Sequence, residues 1–102
     1  MNNARTPLFL MANLGSEVSR VLSCRDKGQK VETQQAYERA QRIVAQIKEF
    51  PEMKSRLMEI EILSQVLGEL QKEHSTLAIS SQHLREYFQP FAQRLLLAGA
   101  GI

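Results

Sequence analysis

Between positions 51 and 72 the apolar residues fall into two series. Met53, Leu57, Ile60, Leu63, Leu67 and Leu70 recur in steps of three and four, which puts them on one face of an α-helix. Met58, Ile62 and Val66 climb in steps of four on the roughly opposite side. Lys54, Glu61, Gln65, Gly68 and Lys72 fill the sector that remains. A surface helix needs one apolar stripe. Two stripes predict a helix covered on two sides, by helices of its own chain or by another subunit, and the stretch is expected to organise the fold. Pro51 suits a first helical position, where its missing N–H costs no intrahelical bond. Ser64 and Gly68 are weak helix formers inside it, a small penalty beside burial.

The N-terminal half predicts two more helices. Thr6-Pro7 supplies a capping hydroxyl and a first-turn proline, and a helix is expected over 7–25. Its core face is Leu10, Met11, Leu14, Val18, Val21 and Leu22. Beside this face run Ala12, Ser16, Ser19 and Ser23, with Gly15 close by. Small residues at that spacing either let another helix approach closely or are plain surface. A third strip carries Asn13, Glu17, Arg20 and Cys24. Asp26-Lys27-Gly28 ends the helix, with Gly28 suited to the left-handed conformation past a C-terminus. A one-sided helix is expected over 31–49, with Ala36, Ala40, Ile43, Val44 and Ile47 inward, Tyr37 at the edge and Phe50 at the end. Phe50 precedes Pro51 and is biased out of the helical region. The resulting short turn forces an antiparallel hairpin.

Leu84, Phe88, Phe91 and Leu95 mark the last helix. Pro90 lies inside the series without shifting its phase, which predicts a kinked helix or two short helices in line. Residues 77–81 read as connector, with Ser80 or Ser81 as a cap. Residues 1–5 and 99–102 read as flexible ends. No stretch alternates with period two over strand length. The fold class expected is all-α, an up-and-down helical bundle of about four helices in one domain over 1–102.

A chain of 102 residues with 43% hydrophobic content can bury a core, though with a thin margin at this size. The formal net charge of +2 gives no strong attraction to nucleic acid or to an anionic membrane. The charge is uneven, however: Arg5, Arg20, Arg25, Lys27 and Lys30 face only Glu17 and Asp26 in the first thirty residues. Arg20, Arg25, Lys27 and Lys30 form a basic corner at the first turn, without an aromatic platform for stacking bases. An accessory nucleic-acid-binding domain using that corner is the alternative reading, and nucleic acid is the less favoured partner. Cys24 is the only cysteine, so an internal disulfide and a multi-cysteine zinc site are excluded. This fits a reducing, cytoplasmic location. The apolar run over 7–12 is short and Asn13 interrupts it, so it reads as mature protein and not as a leader. No run reaches membrane-spanning length, and no membrane partner is expected.

Motifs for chemistry are missing. A bundle metal site needs Glu-x-x-His pairs, and neither His74 nor His83 has a Glu three residues before it. No metal or other cofactor is expected. Cys24 lies near a helix C-terminus, whose dipole disfavours a thiolate, and reads as structural. The glycines form no phosphate-binding loop. Glu59 and Glu61 point to different sides, and no catalytic residue is assigned. Asn13, Glu17 and Arg20 are the best candidates for contact with a ligand or partner, because one helical face offers an amide, a carboxylate and a guanidinium together; the plainer reading is an exposed polar face. Function is therefore expected through association: a homodimer whose interface is Met58, Ile62 and Val66, or an unidentified protein partner. The competing account lays the first or last helix over that stripe and leaves a monomer.

Overall fold

The computed structural model describes residues 6–72 and 81–99, with side chains to Arg94. Among these residues four α-helices form: α1, Pro7–Asp26; α2, Lys30–Lys48; α3, Leu57–Leu70; and α4, Ser81–Gly99. A 3₁₀ turn, Pro51–Arg56, leads into α3. No strand occurs among the described residues, and the class is all-α as expected.

The local signals act as read. Thr6 is the N-cap of α1, and its hydroxyl accepts a hydrogen bond from the Phe9 N–H at 3.1 Å. Gly28 takes φ +71° and turns the chain into α2, where most residues with a Cβ would be strained. Every residue expected on the inner faces of α1 and α2 is buried, as are Leu84, Phe88 and Phe91 of α4. Together they form one cluster with Met53, Ile60, Leu63, Leu67 and Leu70. α4 is one helix through Pro90, not two short helices in line, and Pro90 itself is exposed. The Leu95 side chain, the residue 80 cap, most of the 77–81 connector and the ends at 1–5 and 100–102 lie outside the described residues.

Two expectations need correction. Residues 51–72 do not form one helix. Phe50 is extended and Arg56 (φ −112°, ψ 11°) breaks the phase, so Pro51–Arg56 is wound as 3₁₀ before α3 begins. The central element, moreover, is α1 and not α3. α2 packs along one side of α1 and α4 along another, while α3 leans chiefly on α2. The small residues of α1 make this possible. A Cβ on Gly15 would stand 2.7 Å from the Phe88 Cβ and 2.9 Å from its Cγ. α4 thus crosses α1 at Gly15, and Ala12, Ser16 and Ser19 line a crevice left between the two helices. Polar ties fix the remaining helix: Gln41 and Ser64 exchange bonds between α2 and α3, at 3.3 Å to the Ser64 carbonyl and 3.1 Å from its hydroxyl, and Lys48 pairs with Glu61.

Candidate functional site

The strip Asn13, Glu17, Arg20 resolves into an interhelical tie. Glu17 is buried, at 8% exposure, beside apolar neighbours of α1. A charge that deep needs partners. Arg20 Nη1 donates to both carboxylate oxygens at 3.1 and 3.3 Å, and Arg39 Nε of α2 donates to both at 3.1 Å. Arg39 was invisible to reasoning along one helix, since it lies on a different element. Its position next to Ala40 and three after Ala36, on the edge of α2 that meets α1, is the signal that could have found it. Asn13 is half-buried and takes no part in the cluster. With both oxygens taken by guanidinium groups, Glu17 ties α1 to α2.

The basic corner is only partly assembled. Arg20 is engaged with Glu17 and so belongs to the tie. Arg25 donates from Nη1 to the Leu70 carbonyl and from Nη2 to Asp26 Oδ1, both at 3.5 Å, and thereby caps the end of α3. Lys27 and Lys30 are exposed. Lys72 joins them from α3's end, paired with Glu69 at 2.5 Å.

A second network links α4 to the start of α3. Arg56 binds Glu59 through Nε at 3.1 Å and Nη2 at 2.7 Å, and the Tyr87 hydroxyl donates to the same carboxylate. The Arg56 guanidinium lies 5.5 Å from the centre of the Phe91 ring. The bond to Glu59, more than any other influence, raises the Arg56 pKa above its ordinary value, so the arginine stays charged.

The outer side of α3 carries the remaining candidates. Met58 is 79% and Ile62 54% exposed, one turn apart, while Val66 is half-buried against the core. Neither α1 nor α4 lies over Met58 and Ile62. Leu57, expected in the core, is 36% exposed. At 100° per residue it stands roughly 100° from the centre of the Ile60–Leu63–Leu67–Leu70 stripe, on its rim. Among the described residues, no cluster of side chains is suited to hold a metal ion, and no helix is long and apolar enough to cross a membrane. Cys24 is half-buried and free.

The chain matches no family model, no curated protein and no solved structure.

Proposed function

We propose that the protein acts through association, as a small helical bundle that pairs with a second copy of itself over the outer face of α3. The observation that carries this reading is the exposure of Met58 and Ile62 on a helix whose other face is fully committed to the core. Monomers seldom leave contiguous large apolar groups in water. A two-fold axis would lay each copy's stripe on the other's. The surroundings favour a like partner over a strongly charged one. The flanks carry both signs, with Lys54 and the Lys48–Glu61 pair beside the stripe. The stripe is short: Met58 to Val66 rises only about 12 Å along the helix. That is a small centre for an interface of roughly 800 Å² per partner, so the dimer is weak and concentration-dependent. The free cysteine suits a reducing compartment, which we take to be the cytoplasm.

Solution mass by light scattering across dilution tests the reading, for the wild type and for Ile62→Glu. The wild type is expected to pass from dimer to monomer on dilution, and Ile62→Glu to stay monomeric with its helix content intact. A wild type that is monomeric at high micromolar concentration would refute it.

A further inference from the structure

A cavity of about 550 Å³ opens where the end of α1, the start of α2 and the end of α3 meet. It is separate from the face of α3 assigned to self-association. Three cations from three elements line it: Arg25, Lys30 and Lys72. Gln29, Gln34 and Gln71 stand among them, with the Gln34 amide donating to Glu38 and the Gln71 amide to the Gly68 carbonyl. From these lining groups we propose that the cavity binds a small molecule bearing two or more phosphate groups.

The ion pairs near the cavity do not use up its charge. Arg25, its side chain 32% exposed, meets Asp26 and the Leu70 carbonyl only at 3.5 Å, and the Lys72 side chain is 53% exposed in its pair with the more buried Glu69. A guanidinium carries five N–H donors and an ammonium three, so Arg25 and Lys72 keep donors for a multiply charged anion while these contacts stand. Lys30 is the first residue of α2, where the helix dipole opposes a cation, and its charge there is a local cost that an anion would repay. Cations drawn from three separate elements favour an anion that presents several oxygens at once over a single point charge. The cavity also exceeds the size of one simple ion and falls within the range of small-molecule sites.

The test is titration of the 102-residue protein with inorganic pyrophosphate at low salt, followed by amide shifts in ¹⁵N-labelled protein. Saturable shifts are expected at Gln29–Gln34 and at Gln71 and Lys72, with orthophosphate binding more weakly. The exposed lysines allow Lys30→Gln/Lys72→Gln to fold, and this variant is expected to bind pyrophosphate at least tenfold more weakly. Lys54→Gln/Arg85→Gln, which removes two exposed charges away from the cavity, is expected to bind as the wild type does. Shifts that grow without saturating would overturn the proposal, as would equal weakening by Lys54→Gln/Arg85→Gln. Tighter binding of an oligonucleotide, with a steep fall in affinity as salt rises, would also overturn it and return the corner to nucleic acid.

Discussion

Gly15→Ala probes the seating of α4 on α1 through one methyl group. In an exposed helix interior the change would stabilise, because alanine is about 1 kcal/mol the better helix former. Here the new Cβ would lie 2.7 Å from the Phe88 Cβ and 2.9 Å from its Cγ. Carbon atoms pack comfortably at about 3.5–4.0 Å, so the shortfall approaches 1 Å. The Phe88 Cβ is fixed to the α4 backbone, and no rotamer change moves it away. Relief requires shifting α4, which loosens Leu84 and Phe91 as well. Overpacking of this kind costs about 2–3 kcal/mol, and subtracting the gain in propensity leaves a net loss of about 1–2 kcal/mol. In a domain of this size that lowers Tm by roughly 4–16 °C. Gly68→Ala is the internal control. Nothing stands within 4 Å of its added Cβ, so it keeps the propensity gain and raises stability by about 0.5–1 kcal/mol. Thermal and urea unfolding followed by circular dichroism report both variants. If Gly15→Ala matches or exceeds the wild type in stability, α4 does not rest on α1 at this point.

Other substitutions test the remaining contacts by the same urea titrations. Phe88→Ala and Phe91→Ala each remove a buried ring and should cost about 3–5 kcal/mol; unchanged melting of both would contradict the placement of α4. Glu17→Ala strips two guanidinium groups of their acceptor and should cost about 1–3 kcal/mol, with Arg39→Ala costing less because its side chain is 38% exposed; a neutral Glu17→Ala would mean that the tie contributes nothing. Thr6→Ala removes the α1 cap, with an expected loss of about 1 kcal/mol. Ile62→Glu should change the stability of the monomer by no more than about 0.5 kcal/mol, and unfolding of that variant would place Ile62 in the core.

What the sequence displayed well was burial that repeats along one helix. The inner faces of α1 and α2, the cap at Thr6, the turn at Gly28 and the apolar side of α4 all follow from spacing and local backbone chemistry, which depend on neighbours within a few residues. What it hid depends on two elements meeting. Arg39 completes the Glu17 cluster from the next helix, and Lys72 reaches the basic corner from the end of α3. Neither pairing leaves a mark in the spacing of a single segment. The 3₁₀ winding of Pro51–Arg56 escaped notice because Met53 is buried in either winding, so the apolar pattern does not distinguish them.

The misassigned centre of the bundle has a common physical cause with the exposed face of α3. Two apolar stripes on α3 suggested a helix enclosed on two sides. A helix in the middle of a small bundle, however, must let its neighbours' backbones come near, and side chains as large as Met58 and Ile62 hold a neighbour away. α1 solves the problem with Gly15 on its second side, against which Phe88 fits. Small size on a second stripe therefore marks an intrachain neighbour more surely than apolarity does. By that criterion Met58 and Ile62 do not suit contact with α1 or α4, while Val66 packs against the core of its own chain. Met58 and Ile62 suit a contact made between side chains, at the wider separation at which two folded surfaces meet. A second copy would supply such a contact, and in the proposed pair a helix peripheral in one chain would become central.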